Sequence, residues 1–337
     1  MKAPVEAVDA AIGAALRTHG FFVVTNHDVA RGDVEALRER MKAFFARSAA
    51  EKQQFKLDLS ASAVSGHVAL GAEASDVANL SVTGDDKKVV PKDLMESFQF
   101  CDPRLKQQAL PSDELRAAFD GVYKQFRAQA RALLAVVERV LALPAGWLVD
   151  KHAARGAHRT ILRVTHYPPL SRFGLAWRGA DVGVVAEADG KAVPAVAQRI
   201  GEHRDLGTIT LLWQDDKGGL EVAVDAADGT RHWLPVAPVE GSIVVNTGLC
   251  LMRMTNGHVK ANLHRVVVNN DKANTDARYS VIMFVNPDDD APMASHEQFG
   301  DRVYPEDGTA GDYLKCKFTQ IFDPTARAHQ KGCKYRD

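Results

Sequence analysis

The sequence predicts an α+β protein with an all-β core. Apolar residues recur at helical spacing in several stretches of the first 158 residues and again in one stretch near the C-terminus, whereas most strand-like runs follow from Arg159. No internal repeat, low-complexity tract or linker separates these parts. We therefore predict a helical region over 1–158 that packs on the core within one structural unit, a β core over 159–290, and a C-terminal helix and tail over 291–337.

The N-terminal half contains two helical stretches around one early strand. Val5 to Thr18 carries apolar residues three to four positions apart, and Asp33 to Phe45 follows the same spacing. Between them, Phe21 to Val24 is a short β-branched and aromatic run that predicts a strand. The residues from Ser60 to Lys92 are small, polar and aperiodic, so we expect a long loop there.

The longest apolar stripe predicts a helix from Ser112 to Leu143. Ser112 can cap its first turn, and Pro144 ends it because proline cannot continue a helix. A last helix is predicted over Gly311 to Phe322. The stretch between these two helices is rich in β-branched residues separated by Gly and Asp turns, and therefore supplies the core strands.

Three polar residues of the predicted β core could form a metal site. His203 and Asp205 are two positions apart, so in an extended segment both side chains leave the same face. His264 begins another predicted strand. Two histidines and one carboxylate are the facial ligand set of non-haem Fe(II), which leaves the opposite coordination positions open. His166 lacks such a partner and is predicted to be structural or exposed, and His67 is expected to cap a loop.

Several ordered motifs carry a resemblance to a known family. They are Gly20 to His27, Glu96-Ser97-Phe98, Arg163 to Pro169, His203-x-Asp205, Gly218 to Val222, Val245 to Gly248, His264-Arg265-Val266 and Arg278-x-Ser280. In this order they resemble the Fe(II)/2-oxoglutarate-dependent oxygenases, and more narrowly the isopenicillin N synthase-like branch. The resemblance spans about residue 5 to about residue 325, and chance is a poor explanation for so many ordered matches.

The resemblance implies a fold and a set of ligands. The fold would be a double-stranded β-helix, or jelly roll, flanked by the N-terminal helical region and a C-terminal helix. His203, Asp205 and His264 would bind Fe(II), and Arg278 with Ser280 would bind 2-oxoglutarate, with Tyr167 near it. No catalytic residue beyond the metal ligands is implied. Dioxygen would be the second co-substrate, and a small molecule would be hydroxylated or otherwise oxidised with release of succinate and CO2.

The chain departs from the family pattern at four places. Arg204 replaces a small residue between two metal ligands, and we expect its side chain to leave the opposite strand face and pair outside the metal pocket. Leu249 and Ala261 replace polar residues, so the orientation of the ligands would depend on other partners. The segment before His203 is about twenty residues longer than usual. Its residues Val182 to Val196 surround an Asp-Gly turn and predict an added hairpin at the mouth of the metal pocket.

Two alternative functions stay open at this point. The first is an Fe(II) oxidase of the same fold that uses no 2-oxoglutarate and performs cyclisation or desaturation. The second is a metal-binding jelly roll without turnover, or a hydroxylase of a protein partner. A closed cavity would favour a small molecule, and we expect it to be lined by Phe98, Trp213, Phe284 and Phe318. The expected substrate contacts are Gln99, Arg172, Arg178 and the hairpin residues, and the cationic side chains near the entrance suggest a carboxylate-bearing substrate.

Composition excludes several other classes of protein. The formal net charge of -1 and the lack of long like-charge runs argue against nucleic-acid or anionic-membrane binding. Four widely spaced cysteines suggest neither a zinc site nor a disulfide framework. The sequence shows no signal peptide or membrane-spanning stretch, so we expect a cytoplasmic protein. The sequence makes no statement about oligomeric state.

Overall fold

The computed structural model describes residues 4–58, 65–73, 93–105, 110–173, 175–177, 184–188, 191–194, 198–226, 228–268, 276–304, 308–322 and 335. Most of the predicted loop from Ser60 to Lys92 lies outside these residues. Where the structure describes it, the loop prediction is wrong at Gly66–Val68, which form a short strand.

Four of the six helices in the described residues form close to where the apolar spacing predicts them, whereas the short helices Ala49–Gln53 and Leu249–Met254 were not predicted. In chain order they are α1 (Val5–Thr18), α2 (Arg31–Phe45), α3 (Ala49–Gln53), α4 (Asp113–Val140), α5 (Leu249–Met254) and α6 (Ala310–Phe322). The Ser112 hydroxyl accepts a hydrogen bond from the Leu115 backbone N–H, as predicted for a capping residue. The helix α4 ends before Leu143, because Ala142 takes a left-handed conformation (φ 54°) and Leu143 N–H bonds back to the Glu138 carbonyl.

Fourteen strands complete the chain. They are β1 (Phe21–Val24), β2 (Gly66–Val68), β3 (Glu96–Cys101), β4 (Ile161–Tyr167), β5 (Leu175–Trp177), β6 (Val184–Ala188), β7 (Lys191–Pro194), β8 (Gln198–His203), β9 (Ile209–Gln214), β10 (Leu220–Asp225), β11 (Arg231–Pro235), β12 (Ile243–Thr247), β13 (His264–Val267) and β14 (Arg278–Val285). Fourteen is the number within the described residues.

Two antiparallel sheets build the core. The major sheet has the strand order β1-β12-β9-β14-β4-β3-β2, and the minor sheet has the order β11-β10-β13-β8. Residues of both sheets pack in one apolar cluster, so the sheets face each other in the predicted double-stranded β-helix. The predicted helical region also contributes to this core, since β1, β2 and β3 all belong to the major sheet.

The two faces of the major sheet pack against different layers. Alternate residues of β9, such as Leu211 and Trp213, belong to the large core that also contains the apolar stripe of α4. The residues between them face the minor sheet, where Leu212 packs with Val266 of β13. The pocket described below lies on this second face.

The predicted hairpin is present as strand pairing. The strands β6 and β7 pair antiparallel with Ala188 opposite Lys191, and β5 adds a third strand on the other side of β6. The Asp189-Gly190 turn lies outside the described residues. That this hairpin covers the metal pocket stays a prediction.

One cysteine differs from the prediction. Cys101 and Cys250 are buried and free, but Cys316 is disulfide-bonded, which the wide cysteine spacing did not predict.

Among the helices of the described part, none combines the length and the apolar character needed to cross a membrane.

Candidate functional site

Three of the predicted site residues meet where β8 ends and β13 begins. His203 is the last residue of β8, Asp205 follows in the connection to β9, and His264 begins β13, where it pairs with His203. One ligand atom from each residue lies within 4.8 Å of the other two. The Nε2 atoms of the two histidines are each 3.7 Å from Asp205 Oδ1. These three atoms are close enough to share one metal ion.

Local hydrogen bonds fix the orientation of both imidazole rings. His203 Nδ1 lies 2.8 Å from the Gly201 carbonyl oxygen, and His264 Nδ1 lies 3.1 Å from that of Asn262. Because a carbonyl oxygen only accepts, the ring proton sits on Nδ1 in each case. The Nε2 lone pairs therefore face Asp205.

The carboxylate of Asp205 is held by two donors. Thr210 Oγ1 and Asn246 Nδ2 each donate to Oδ2 at 2.6 Å, which leaves Oδ1 toward the histidines. The backbone N–H of Leu249 donates to the Asp205 carbonyl oxygen at 2.8 Å. As expected, residues other than Leu249 supply the side-chain contacts that orient this ligand.

Arg204 and Ala261, two other residues that depart from the family pattern, contact each other. Arg204 Nε donates to the Ala261 carbonyl oxygen at 2.8 Å. The Arg204 side chain thus pairs outside the metal pocket, which confirms the prediction.

Electrostatics keep Asp205 and His264 in a metal-binding protonation state. Burial raises the pKa of Asp205, but the two histidines and the hydrogen bonds from Asn246 and Thr210 outweigh it, so the pKa lies below its ordinary value. Burial, followed by the neighbouring His203, lowers the pKa of His264 to about 4. At neutral pH Asp205 is therefore an anion and His264 is uncharged, as metal ligands must be.

Arg278 offers an open hydrogen-bond donor in the same pocket. Its guanidinium is buried and donates from Nε to the Gly218 carbonyl (2.9 Å) and from Nη2 to Gln214 Oε1 (3.0 Å). Nη1 has no hydrogen-bond partner within the described residues. The guanidinium carbon lies 4.7 Å from the centre of the Tyr167 ring, so Tyr167 supports the arginine as well as packing at the strand end.

Two hydroxyl groups extend this set of open donors. Ser280 lies on the strand face of Arg278 and is paired in register with Thr165 of β4. Both hydroxyls are buried, and neither has a hydrogen-bond partner in the described part of the chain. Buried polar groups are normally satisfied, so a set of unpaired donors on one face is a candidate ligand-binding surface.

Comparison with known proteins agrees with this arrangement. The family model of the 2OG-Fe(II) oxygenase superfamily matches residues 160–287, and the one described as non-haem dioxygenase in morphine synthesis N-terminal matches residues 2–117. Proline hydroxylase buaE from Petromyces alliaceus is 28% identical over 322 residues, which is 92% of each protein.

Solved structures share the fold over most of the chain. A full-length protein from Neurospora crassa, solved in complex with alpha-KG, has a TM-score of 0.70 at 24% identity, covering 92% of this chain and 89% of that one. The same Neurospora protein has also been solved with thymine. A 2OG-Fe(II) oxygenase family protein from Caulobacter crescentus has a TM-score of 0.70 at 25% identity and covers 94% of both chains.

The chain belongs to the Fe(II)/2-oxoglutarate-dependent oxygenases. Its cofactor is Fe(II) and its co-substrates are 2-oxoglutarate and dioxygen. The three clustered residues and Arg278 of this oxygenase line one pocket between the two sheets. Mostly apolar walls with a few convergent polar groups are typical of small-molecule sites.

The aromatic lining of the oxygenase pocket differs from the prediction. Phe284 lines the pocket, but Phe98 and Trp213 lie in the core on the helix-facing side of the major sheet, and Phe318 packs against that core. For Phe98 and Trp213 the cause is strand alternation, because neighbouring residues of a strand point to opposite faces. The pocket is instead walled by these apolar residues: Phe21, Met95, Ile200, Leu212, Leu220, Val266, Ile282 and Phe284.

Of the three residues expected near a substrate carboxylate, the two that the structure describes are not brought together at the pocket. Gln99 is buried in β3 opposite Arg163, whereas Arg172 is exposed, and neither lines the pocket. Arg178 lies outside the described residues.

Sequence reasoning missed two arginines, one partly buried in the wall of the pocket and one fully buried beside Tyr167. Arg163 lines the pocket from β4. Arg199 donates from Nη1 to the Tyr167 carbonyl (3.1 Å) and from Nη2 to the Asp276 carbonyl (2.7 Å). Burial, followed by the nearby charge of Arg278, lowers the pKa of Arg199 to about 10. The neighbouring charges of Arg199 and Arg278 make the Arg278 end of the pocket attractive to an anion.

Proposed function

We propose that this oxygenase holds Fe(II) with His203, Asp205 and His264 and binds the distal carboxylate of 2-oxoglutarate with Arg278 and Ser280. The observation that carries the proposal is the unpaired Arg278 Nη1, whose side chain lines the same pocket as the three ligand residues. A charged donor left unpaired in a buried site is costly unless a ligand accepts from it.

The residues present fit both groups. Two imidazoles and one carboxylate are the donor set of non-haem iron oxygenases, and here one ligand atom of each lies within 4.8 Å of the other two. A planar guanidinium with a hydroxyl two residues further on suits a carboxylate. When bound, Fe(II) and 2-oxoglutarate supply the oxidising chemistry, with dioxygen consumed and 2-oxoglutarate converted to succinate and CO2.

The protein's own contribution is orientation and exclusion of water. Thr210 and Asn246 hold Asp205, and Tyr167 holds the Arg278 guanidinium. The apolar walls keep the reacting groups away from solvent. Hydrogen-bond donors fixed before binding lower the cost of ordering the ligand.

We infer that the substrate is a compact small molecule. The position of the pocket between two sheets and its apolar walls support this class. The relatives described above are consistent with it, since buaE is named a proline hydroxylase and the Neurospora crassa protein was solved with thymine. The carboxylate that the sequence suggested for the substrate has no support at Gln99 or Arg172, because neither residue lines the pocket.

The experiment is an anaerobic titration followed by turnover. The purified protein is loaded with Fe(II), 2-oxoglutarate is added without oxygen, and the iron-to-2-oxoglutarate charge-transfer absorption is recorded. Oxygen and a library of small molecules are then added, and succinate and oxidised product are quantified. We expect the absorption band and one succinate per product. Product without succinate would favour the oxidase that needs no 2-oxoglutarate, and iron binding without any turnover would favour a binding protein.

A further inference from the structure

Arg163 carries an ion pair at the wall of the pocket. Its Nη1 and Nη2 atoms donate to the two carboxylate oxygens of Glu73 at 2.9 and 2.8 Å. Both side chains are largely buried, with 12% and 5% exposed. The guanidinium carbon lies 5.3 Å from the centre of the Phe284 ring, which also lines the pocket. Arg163 is therefore fixed by a bidentate carboxylate and by an aromatic face.

One donor of this arginine is left over. Arg163 Nε is buried and has no hydrogen-bond partner in the described part of the molecule. Arg163 lines the pocket, but Glu73 does not. Glu73 thus holds the guanidinium without itself facing the ligand space.

The two arginines of the pocket differ in charge compensation. Arg163 shares its charge with Glu73, whereas Arg278 donates only to a carbonyl and an amide oxygen and makes no ion pair with a described carboxylate. An uncompensated guanidinium attracts an anion. A guanidinium already paired with a carboxylate offers a donor but little net field, and its partner repels a second anion.

The two arginines are also separated along the sheet. Arg278 is opposite Tyr167 in register, and Arg163 is four residues from Tyr167 on β4. At a rise of about 3.3 Å per residue, the two positions are about 13 Å apart along the strand. A co-substrate carboxylate at Arg278 therefore leaves Arg163 available to another molecule.

We propose that Arg163 is the polar anchor of the substrate subsite and that, because Glu73 neutralises it, the subsite selects an uncharged oxygen acceptor over a carboxylate. This inference rests on the proposed function, in which Arg278 takes the co-substrate. The substrate class is a compact, mainly apolar molecule with a carbonyl or amide oxygen. Glu73 is a positioning residue, and Arg163 Nε–H makes the contact.

The test compares two probes of nearly the same size, benzamide and benzoate. Both are titrated anaerobically into protein saturated with Fe(II) and 2-oxoglutarate, so that the Arg278 site is filled, and binding is measured by calorimetry. In the parent protein we expect benzamide to bind about tenfold more tightly than benzoate. Equal or tighter binding of benzoate, or no binding of benzamide, overturns the proposal.

Two variants test the role of the ion pair. Glu73→Gln leaves Arg163 uncompensated and should reverse the preference in favour of benzoate; an unchanged preference overturns the role of Glu73. Since an unpaired buried charge can prevent folding, the double variant Glu73→Met with Arg163→Met removes both charges together. It should lose at least about tenfold in benzamide affinity while keeping the 2-oxoglutarate absorption band. Benzamide affinity equal to that of the parent would overturn the anchor.

A matched control is the ion pair between Arg139 and Asp9 on the surface of the helical region. Replacing it by Arg139→Met with Asp9→Asn should leave both probe affinities unchanged. The absorption band separates the two proposals. Its absence in the parent overturns the proposed function and this inference with it, whereas a band with the wrong probe order overturns the inference alone.

Discussion

The two faces of the major sheet treat buried polar groups in opposite ways. On the face toward the helices, Glu96 accepts a hydrogen bond from Lys52 Nζ at 2.6 Å. The same carboxylate lies 3.0 Å from His67 Nε2 and 3.0 Å from His166 Nδ1. The His166 ring also stacks on Tyr279, with ring centres 4.8 Å apart. Every charge in this cluster has a partner.

On the pocket face of the same strands, buried hydroxyls lack such partners among the described residues. Ser97, Thr165 and Ser280 are immediate neighbours in sequence of Glu96, His166 and Tyr279, and they lie in register across β3, β4 and β14. Their hydroxyls are buried, yet they have no hydrogen-bond partner among the described residues. We infer a division of roles: the satisfied network stabilises the fold, and the hydroxyls without a partner are expected to serve a ligand.

The largest effect, on Fe(II) binding and turnover, is expected from substituting the three proposed metal ligands on the pocket face. Each of His203→Ala, Asp205→Ala and His264→Ala should abolish turnover and greatly weaken Fe(II) binding, because two remaining ligands form a weak and misshapen site. The measurements are Fe(II) affinity and succinate release, with the melting temperature as a control for folding. A variant with the parent's iron affinity would show that its residue is not a ligand.

On the helix side, Glu96→Gln should affect stability and not ligands. Three cationic or polarised partners would lose their carboxylate, so the free energy of unfolding should fall by about 3 kcal/mol. Denaturant unfolding measures this fall, and the affinities for Fe(II) and 2-oxoglutarate should stay near the parent's values. The matched control is Glu35→Gln, whose partner Arg31 is half exposed and whose loss should cost well under about 1 kcal/mol. Loss of 2-oxoglutarate binding in a folded Glu96→Gln protein would contradict the separation of the two faces.

The stability that Glu96 contributes should depend on pH. Burial raises the pKa of Glu96, but its bonds to His166, His67 and Lys52 outweigh this and hold the pKa well below its ordinary value. The stability contributed by Glu96 is therefore present above the unfolded-state pKa of about 4.3, and it is lost as the pH falls further toward the folded-state value. The difference in stability between parent and Glu96→Gln should shrink below about pH 4.

Arg278→Ala tests the pocket face directly. Loss of a charge-assisted hydrogen bond to a carboxylate should weaken 2-oxoglutarate binding about thirtyfold, or about 2 kcal/mol, with Fe(II) binding nearly intact. Arg278→Lys should recover part of this loss, since lysine keeps the charge but lacks the planar fork. Anaerobic titration of the absorption band gives both affinities. An Ala variant with the parent's 2-oxoglutarate affinity would remove Arg278 from the site.

The smallest effect on ligand binding is expected at the third sheet, which belongs to neither face. Replacing residues 184–194 by a short Gly-Ser link should leave Fe(II) and 2-oxoglutarate affinities unchanged, because those ligands come from the core strands. Substrate-coupled turnover should fall, and succinate released without product should rise, if the hairpin covers the pocket. The ratio of product to succinate measures this, and an unchanged ratio would show that the hairpin takes no part in substrate binding.

The sequence predicted the metal cluster better than the pocket around it. His203, Asp205 and His264 were identifiable because their spacing and their strand context are properties of short segments. Phe98 and Trp213 were assigned to the wrong face, because strands buried on both faces show no alternation from which to read direction.

Pairings over long separations could not be read from the sequence. The partners Glu73 and Arg163 are 90 residues apart, and His166 and Glu96 are 70 apart. Nothing local in either segment indicates the other, because the contact between Glu96 and His166 depends on the register of β3 against β4. The capping box at α3 was a readable signal, since Ser48 and Glu51 have the required spacing, but it was missed.

The carbonyl contacts of the two histidines have a consequence for the choice of metal. Each ring is oriented by a carbonyl two residues earlier in the chain, through His203 with Gly201 and His264 with Asn262. Because each imidazole is oriented by its own segment of the chain, the site presents the same imidazole and carboxylate atoms to any divalent ion of suitable size. Such nitrogen and oxygen sites bind Co(II) and Ni(II) at least as tightly as Fe(II). If these residues hold Fe(II) as proposed, we expect the cellular supply of metals, more than this ligand set, to protect the site from other divalent ions.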